Sequence, residues 1–398
     1  MPPSSYEAAA AHTLAQGQSD PAESQNVASG QKPANGQKLA NGQQPANEQT
    51  PVDEQKHPGG EPEIRPGTIF FLSENDVRAC VTQRDINAAI EACFVSLAAG
   101  DGFNFPVVRQ ALGYGEAVFG FKSAFDRRGP SLGIKAGGLW PGNRQRGTPN
   151  HQSTIVLFDP ESGAPAALIC GTYLTALRTA AASAISVRYL ARQDAKTLGV
   201  SAAGGQAEYQ IRAAVAERNF ERILLPARDS GSGERLLASL ADLALEIDVV
   251  PIERLCRESD VLITVALSFE SYIERDWVQS GTHVACMGTD TKGKQEVDAT
   301  LFGDARVFGD AADQNALLGE SQHAVAQGLI SEDDIVALGA VISGDAEGRT
   351  ADEEVTVFDS TGMGMQDLAA ASLALRKAQN LGRYTALSQQ GSPLETRP

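Results

Sequence analysis

The sequence predicts an α/β protein that contains a doubly wound parallel sheet. Apolar runs that fit buried strands alternate with helical patterns in the second half of the chain; these runs are Ile247–Val250, Val261–Val265 and His283–Gly288. Such alternation is typical of a parallel sheet that is covered by helices on both faces. The length of 398 residues and the hydrophobic content of 42% are enough for two domains with sizeable cores.

The segment Lys196–Gln210 has the pattern of a strand, a tight turn and a helix. Its apolar run ends at Val200, and small residues follow before helical periodicity begins. Ala202, Gly204 and Ala207 match the spacing G-x-G-x-x-G/A, except that alanine holds the first position. Small residues allow backbone N–H groups at a helix N-terminus to approach a pyrophosphate closely. The pattern therefore predicts a dinucleotide-binding turn, for which an ordinary strand-to-helix turn is the alternative.

The second strand of the same unit bears on the choice of dinucleotide. An acidic residue at the end of this strand usually binds the ribose hydroxyls of NAD. Here Arg222–Leu225 is the predicted strand, and Ala227 and Arg228 follow it. A small residue beside an arginine suits the 2′-phosphate of NADP, so NADP is favoured. NAD is the alternative, because a shift in register would bring Asp229 to the acidic position.

Both ends of the chain lack the pattern of a folded domain. Residues 1–66 are rich in Ala, Gln, Asn, Pro and Gly, and a six-residue repeat begins at Gly30. The repeat units have almost none of the large apolar residues that a solenoid needs for its core. We therefore predict a disordered low-complexity tail over residues 1–66 and a disordered C-terminus over residues 386–398.

Charge and cysteine content exclude several classes of protein. The formal charge of −17 disfavours nucleic acid and anionic membranes as partners. No apolar run approaches the roughly 20 residues of a membrane span, and the N-terminus lacks the order of a signal peptide. The five cysteines are far apart and form no C-x-x-C pair, so we predict no disulfide framework and no metal site. These features favour a cytoplasmic protein.

Charged residues near the predicted strands and helices are candidates for a substrate site. Arg109 and Lys135 lie in or beside strand-like segments, and Arg178 lies in a helix of small residues. Ligands of parallel sheets bind beyond the carboxyl ends of strands, which is where Gly288 and Asp290 are expected. A solvated strand face or a loop cap would also explain each of these residues taken singly.

Several motifs follow one another along the chain from about Ile69 to Leu381. They are Phe71–Val77, Gly133–Lys135, Pro141–Asn143, Leu157–Asp159, Thr175–Ala181, Gln206–Ala207, Gly288–Lys294 and Phe358–Gly362. In these motifs and their order, the chain resembles the ornithine cyclodeaminase/μ-crystallin family. The block Leu-Arg-Thr-Ala-Ala and the block Gly-x-Asp-x-x-Gly-Lys are the most specific.

The resemblance implies an NAD(P)-linked enzyme that acts on small α-amino or α-imino acids as a homodimer. It also implies a central Rossmann domain over residues 181–334. That domain would be inserted into a discontinuous α+β domain, formed by residues 67–180 and 335–385, which binds substrate and mediates dimerisation.

By position, the resemblance also implies roles for single residues. Arg109 and Lys135 match the anchors of the substrate carboxylate, Thr361 matches a substrate contact, and Asp290 matches the catalytic acid/base. Two cations can fix an α-carboxylate, and an aspartate can carry the proton of an amino group. The residues expected at the cofactor are Arg178, Ala202, Gly204, Gly205, Gln206, Ala227, Arg228, Gly288, Lys294 and Ser360.

Three enzymatic activities are compatible with this resemblance. The named default is cyclodeamination of L-ornithine to L-proline and ammonia by internal hydride transfer; reduction of 1-pyrroline-2-carboxylate and alanine-dehydrogenase-like chemistry use the same anchors. A non-catalytic, crystallin-like protein that binds NADP(H) is a further alternative, suggested by Ala202 in place of glycine. Lys122 is another departure from the family pattern, and it adds a cation near the anchors. The departures leave the substrate open rather than the fold.

Overall fold

The computed structural model describes residues 62–227 and 231–389. Residues 68–190 form most of a mixed sheet together with helices that cover it. The strands are β1 (Thr68–Leu72), β2 (Gly102–Asn104), β3 (Val108–Ala111), β4 (Val118–Asp126), β5 (Ser131–Leu139), β6 (His151–Phe158) and β7 (Pro165–Cys170). The helices are α1 (Glu74–Cys80), α2 (Gln83–Ala98) and α3 (Gly171–Leu190).

Residues 197–359 form a second sheet with its own helices and a separate two-stranded sheet of the twelfth and fourteenth strands, and the chain then returns to the first sheet. The strands are β8 (Thr197–Val200), β9 (Arg222–Pro226), β10 (Glu246–Val250), β11 (Val261–Thr264), β12 (Phe269–Ile273), β13 (His283–Cys286), β14 (Gln295–Val297), β15 (Arg306–Gly309), β16 (Val336–Ala337), β17 (Thr356–Asp359) and β18 (Thr385–Ser388). The helices are α4 (Ala207–Val215), α5 (Gly231–Ser239), α6 (Ile252–Glu258), α7 (Thr300–Asp304), α8 (Ala312–Leu318), α9 (Ser321–Ala326), α10 (Leu338–Ser343) and α11 (Gly364–Leu381).

The second sheet is parallel throughout and confirms the predicted fold class. Its strand order is β10-β9-β8-β11-β13-β17-β15-β16, and each pairing within it is parallel. The order reverses at β8, because β9 and β10 lie on one side of it and β11 and β13 on the other. In doubly wound sheets, a ligand binds outside the carboxyl ends of the strands at such a point.

The mixed sheet has the order β18-β1-β7-β6-β5-β4-β2, and β3 also pairs with β4. Helices α3 and α11 pack against this sheet, and α2 packs against both of them. Alternation along β4 places Lys122 on the covered face, whereas Phe119 and Phe121 lie on the exposed face. The mixed sheet therefore has one apolar face that helices α3 and α11 do not cover.

Helix α3 connects the two sheets and is largely buried. Its small residues permit close packing against α4, where Ala180 and Ala184 contact Ala213. Arg178 is a buried residue of the same helix. The close packing of the two helices explains why this segment is rich in small residues.

The structure differs from the predicted boundaries at two places. Val336–Ala337 and Thr356–Asp359 pair within the parallel sheet, although the sequence assigned residues 335–385 to the other domain. Residues 386–388, predicted to be disordered, continue a strand that pairs antiparallel with β1. Backbone pairing with a sheet edge explains this strand, since its side chains are exposed and have no apolar periodicity.

None of the helices in the described ranges has both the length and the apolar character needed to cross a membrane. Of the predicted tail over residues 1–66, residues 1–61 lie outside the described residues.

Candidate functional site

The candidate site lies where loops of the parallel sheet meet the covered face of the mixed sheet. Asp290 follows β13, and the segment Ser360–Gly362 follows β17. Arg109 on β3 and Lys122 on β4 reach these loops from the mixed sheet. Lys135 lies directly opposite Lys122 on the neighbouring strand β5. The fold thus brings together residues that are far apart in the sequence.

Three cations surround the carboxylate of Asp290. Its Oδ2 atom lies 2.7 Å from Arg109 Nη1 and 4.0 Å from Lys122 Nζ. Its Oδ1 atom lies 2.8 Å from Lys294 Nζ. The side chain of Asp290 is 22% exposed, so a ligand can reach it. The predicted catalytic residue therefore contacts one predicted substrate anchor and one predicted cofactor residue.

Charge in this cluster fixes the protonation state of Asp290. Burial opposes ionisation, but the charges of Arg109, Lys294 and Lys122 hold the pKa of Asp290 well below its ordinary value. Burial lowers the pKa of Lys122 to about 7, and nearby cations add to this effect while Asp290 opposes it. At neutral pH, Asp290 is a carboxylate that can accept hydrogen bonds but holds no proton of its own.

A second cluster centres on Asp367 of α11. Lys135 Nζ lies 2.8 Å from Asp367 Oδ1 and 2.7 Å from Oδ2, and Arg178 Nε lies 3.0 Å from Oδ1. All three side chains are buried. Burial lowers the pKa of Lys135 to about 8; despite burial, the two cations lower the pKa of Asp367. The two predicted ligand contacts Lys135 and Arg178 thus share one carboxylate.

The segment Ser360–Gly362 is fixed by hydrogen bonds to the carboxylate of Asp310. Asp310 Oδ2 accepts hydrogen bonds from Ser360 Oγ at 2.9 Å and from the Gly362 N–H at 2.8 Å. Asp310 Oδ1 accepts the hydroxyl of Thr361 at 3.1 Å. The hydroxyl protons of both predicted ligand contacts are therefore directed to Asp310, and their remaining oxygen lone pairs can only accept.

The same segment lies next to one residue of each charged cluster. Lys122 Nζ donates to the carbonyl oxygens of Thr361 at 2.8 Å and of Gly362 at 2.9 Å. Gly362 has φ +71°, and a Cβ atom at this position would lie 2.5 Å from Arg178 Nη1. Only glycine fits here, because both the backbone conformation and the space exclude a side chain.

The predicted dinucleotide turn connects β8 to α4. Gly204 and Gly205 face open space, since a Cβ atom added to either would have no neighbour within 4 Å. No side chain caps the N-terminus of α4, and Gln206 Oε1 is buried without a hydrogen-bond partner among the described residues. A helix N-terminus without a side-chain cap and an open glycine turn fit a dinucleotide phosphate.

Ala202 is only 6% exposed, so its methyl group is covered by protein. The alanine therefore does not project into the open space above Gly204 and Gly205. Ala227 directly follows the strand β9, and its N–H donates to the Val250 carbonyl oxygen at 2.9 Å. Arg228, predicted to bind a 2′-phosphate, lies outside the described residues.

A hydrogen-bonded chain connects the dinucleotide turn to the loop of Asp290. Ser201 Oγ lies 2.8 Å from the Tyr272 hydroxyl, which donates to Glu296 Oε1 at 2.7 Å. A Cβ atom at Gly288 would lie 2.2 Å from Glu296 Oε2. The absence of a side chain at Gly288 makes room for Glu296. The contact of Gly288 with the cofactor stays a prediction.

Glu320, which lies between α8 and α9, binds the end of the Asp290 loop that leads into β14. Its Oε1 accepts the N–H groups of Glu296 at 2.6 Å and Val297 at 2.7 Å, and Thr289 Oγ1 donates to Oε2. Burial, followed by the charge of Glu296, raises the pKa of Glu320 to about 8. The loop that carries Asp290 is thus anchored on both sides by buried carboxyl groups.

Comparison with known proteins decides the family. The model of the ornithine cyclodeaminase/mu-crystallin family matches residues 69–380. The chain belongs to this family. The iminosuccinate reductase of Paracoccus denitrificans is 45% identical over 314 residues, which cover 79% of this chain and 98% of that protein.

Solved structures of family members share the fold. The structure of the iminosuccinate reductase of Paracoccus denitrificans in complex with NAD+ has a TM-score of 0.76 and 44% identity, and covers 81% of this chain and 99% of that chain. An archaeal alanine dehydrogenase dimer with bound NAD has a TM-score of 0.75 and 30% identity, with the coverage again at 81% and 99%. The predicted family and the Rossmann-like fold are therefore confirmed.

A second family model, that of the trappin protein transglutaminase binding domain, matches residues 29–56. This match covers the six-residue repeat only, and it lies outside the described residues.

Three buried residues of the family site were not predicted as site residues from the sequence. Asp367 neutralises Lys135 and Arg178, and Asp310 holds the segment Ser360–Gly362. Lys122 was noted as an extra cation, but its contact with Asp290 was not foreseen. A sequence signal exists for Asp367, because an acidic residue within the apolar stripe of a helix needs a buried partner.

Proposed function

We propose that this protein reduces an α-imino acid to an α-amino acid, with a nicotinamide dinucleotide as the hydride donor. The observation that carries the proposal is the Asp290 carboxylate, which is part-exposed and surrounded by Arg109, Lys122 and Lys294. The cations can bind the carboxylate of an α-imino acid, and Asp290 can accept hydrogen bonds from its nitrogen. Family membership and the NAD-bound relatives support the same chemistry.

The dinucleotide is proposed to bind at the turn between β8 and α4. Gly204 and Gly205 would allow its pyrophosphate to approach the N-terminus of α4. When bound, the reduced dinucleotide supplies the hydride. NADP remains the favoured form from Ala227 and Arg228, whereas the NAD-bound relatives support NAD.

The ionised state of Asp290 suits hydride transfer to a protonated imine. An ionised Asp290 stabilises a protonated iminium group by accepting hydrogen bonds from its N–H groups. The carbon of an iminium accepts hydride directly; the C=N π electrons move to nitrogen and form the neutral amine, so no proton from Asp290 is required. The reverse path starts from the neutral amine, so an ammonium substrate would first have to lose a proton, for which Asp290 with its lowered pKa is a weak acceptor.

Arg109 and Lys135 are proposed to anchor the α-carboxylate. Both are paired with carboxylates of the protein, Arg109 with Asp290 at 2.7 Å and Lys135 with Asp367. An incoming carboxylate would share these cations rather than meet them unpaired. Sharing Arg109 draws positive charge away from Asp290, which strengthens the hydrogen bonds that Asp290 accepts from the iminium.

Comparison favours a reductase over a lyase within this proposal. The 45% identity to an iminosuccinate reductase supports an imino dicarboxylate as the substrate to test first. The test is NAD(P)H oxidation by the full chain with oxaloacetate plus ammonium, pyruvate plus ammonium, and 1-pyrroline-2-carboxylate. A parallel reaction with L-ornithine and catalytic NAD(P)+ tests cyclodeamination.

Turnover with an imino acid and stoichiometric oxidation of NAD(P)H would support the proposal. Proline formation from ornithine without net NAD(P)H oxidation would replace it with cyclodeamination. Binding of NAD(P)H without turnover of any of these substrates would replace it with the non-catalytic alternative.

We also propose that the protein forms a homodimer through the exposed apolar face of the mixed sheet. The large apolar side chains on β2, β3, β4 and their connecting loops remain 39–78% exposed in the single chain. Contiguous apolar surface of this kind is typical of interfaces between subunits. The archaeal relative described as a dimer supports the proposal. The residues are Phe103, Phe105, Val108, Leu112, Tyr114, Phe119 and Phe121.

A further inference from the structure

Lys122 and Lys135 lie directly opposite each other on neighbouring strands and point to the same covered face. Like charges at opposite positions of an antiparallel pair are destabilising. Burial adds to this cost, because it lowers the pKa of Lys122 to about 7 and that of Lys135 to about 8. Anions beside both lysines are therefore needed to stabilise the pair.

Lys135 is in direct contact with an anion, whereas the nearest anion of Lys122 is more distant. Asp367 pairs with Lys135 at 2.7 Å, whereas Asp290 Oδ2 lies 4.0 Å from Lys122 Nζ, beyond hydrogen-bond distance. The Lys122 ammonium has three N–H donors, and two of them serve the carbonyl oxygens of Thr361 and Gly362. One donor therefore remains for an acceptor beside Asp290, and an anion bound there would favour the charged form of Lys122.

The charge of the two clusters points to more than one substrate carboxylate. The clusters contain two carboxylates, Asp290 and Asp367, and five cationic side chains; the α-carboxylate of an imino acid would neutralise one further charge. The cations are Arg109, Lys122, Lys135, Arg178 and Lys294. A second substrate carboxylate would therefore enter a region that is still positively charged.

We propose that Lys122 is the specificity-determining residue for a second substrate carboxylate, so that α-imino dicarboxylic acids are preferred to α-imino monocarboxylic acids. This inference rests on the proposed reduction of an imino acid. Lys122 would donate its third N–H to the distal carboxylate, while Arg109 and Lys135 hold the α-carboxylate. Its two bonds to the carbonyl oxygens fix the ammonium in place before the substrate arrives, which lowers the entropy lost on binding.

The test compares the full-length wild type with Lys122→Met. We measure kcat/KM for NAD(P)H-dependent amination of oxaloacetate, which has two carboxylates, and of pyruvate, which has one. A charge-assisted hydrogen bond contributes enough to expect an about 10- to 100-fold loss with oxaloacetate in the variant. With pyruvate we expect a smaller loss, because Lys122 also lies beside Asp290 and holds the carbonyl oxygens of Thr361 and Gly362. The preference for oxaloacetate, which is the ratio of the two kcat/KM values, should fall by about 10-fold. Lys292→Met is the matched control, because Lys292 is an exposed lysine in the Asp290 loop.

A purely structural role predicts a different pattern. If Lys122 only held the carbonyl oxygens of Thr361 and Gly362, both substrates would lose activity to the same extent, and the melting temperature would fall with them. Equal losses, or a wild type that does not prefer oxaloacetate, would overturn the proposal. Lys122→Gln, which retains a donor for one carbonyl oxygen, serves as the second variant if Lys122→Met does not fold.

A binding measurement separates this inference from the proposed function. Calorimetric titration of the protein–NAD(P)+ complex with L-aspartate and with L-alanine does not depend on turnover. Preference for aspartate that is lost in Lys122→Met would support the role of Lys122 even if no imino acid were reduced. Turnover of imino acids without any such preference would support the proposed function and overturn the role of Lys122.

Discussion

Lys135 on β5 and Asp367 on α11 form a buried ion pair, with Lys135 Nζ 2.7 Å from Asp367 Oδ2. The pair joins the mixed sheet to the last long helix across 232 positions of the sequence. Arg178 from α3 shares the same carboxylate at 3.0 Å. One buried aspartate therefore fixes two cations that come from different elements, both of them candidate ligand contacts.

Asp367→Asn is expected to destabilise the protein by about 3–5 kcal/mol, because it leaves Lys135 and Arg178 as buried cations without their anion. Urea unfolding followed by circular dichroism measures this loss. The matched control is Asp352→Asn, at an exposed position, for which we expect a change of no more than about 0.5 kcal/mol. Equal stability of the two variants would show that the Asp367 cluster contributes little to the fold.

Gly205→Ala is expected to weaken NAD(P)H binding by about tenfold or more without a drop in melting temperature. A Cβ atom at this position meets no atom within 4 Å in the part of the chain that the structure describes, so its cost would arise only when a pyrophosphate approaches the turn. Fluorescence titration of NAD(P)H and a thermal melt give the two values.

Gly303→Ala is the control for this glycine. Gly303 lies in helix α7, away from the dinucleotide turn. A Cβ atom added to it would be in ordinary van der Waals contact with Leu329. We expect unchanged affinity for this variant. Unchanged affinity for Gly205→Ala as well would place the dinucleotide elsewhere.

The stability of the protein is expected to fall as pH rises from about 5 to 8, in part because of Glu320. Burial and the charge of Glu296 raise the pKa of Glu320 from 4.5 to about 8, so the folded state binds its proton more tightly than the unfolded state. The stability that this proton contributes is present below pH 4.5 and is lost as pH rises through 8.

Glu320→Gln keeps an oxygen acceptor for the N–H groups of Glu296 and Val297 but cannot titrate. The decrease in melting temperature between pH 5 and pH 8 should therefore be smaller in the variant by a few degrees. Parallel curves for the two proteins would show that Glu320 is already ionised in the folded protein at pH 5.

Phe119→Glu is expected to weaken self-association about 10-fold or more, because it places a charge within the exposed apolar face of β4. Sedimentation velocity over a concentration series measures the change. Leu317→Glu, at a 68% exposed leucine of α8, is the control that should leave association unchanged. A monomeric wild type at micromolar concentration would refute the proposed dimer.

Local patterns in the sequence predicted the elements of the parallel sheet closely. The strand predicted at Ile247–Val250 is observed as Glu246–Val250, and the strand predicted at Val261–Val265 as Val261–Thr264. Buried parallel strands are continuous apolar runs, so a short window of sequence is enough to detect them. Neither Val336–Ala337 nor Thr385–Ser388 has such a run, and each pairs with its sheet because of tertiary contacts.

The contacts within the candidate site were harder to predict than the strands, because they join residues that are far apart in the sequence. The resemblance assigned roles to Arg109, Lys135 and Asp290, and the structure brings Arg109 and Asp290 into contact. The resemblance could not indicate that Asp367 neutralises Lys135, because the two residues are 232 positions apart and no local sequence pattern connects them. Lys122 stood out only as an unusual residue type, and its position beside Asp290 follows from the register of β4 against β5.

The central claim is that hydride reaches Cα of an imino acid beside Asp290. The most direct measurement uses NAD(P)H that carries deuterium at the transferring position, together with the preferred keto acid and ammonium, and detects the amino acid by mass spectrometry and NMR. We predict one deuterium at Cα of the wild-type product. We also predict a rate about 10²–10³-fold lower for Asp290→Asn, which loses the carboxylate that stabilises the iminium, with NAD(P)H binding retained. A product without deuterium at Cα, or an Asp290→Asn variant with a near-normal rate, would contradict the account.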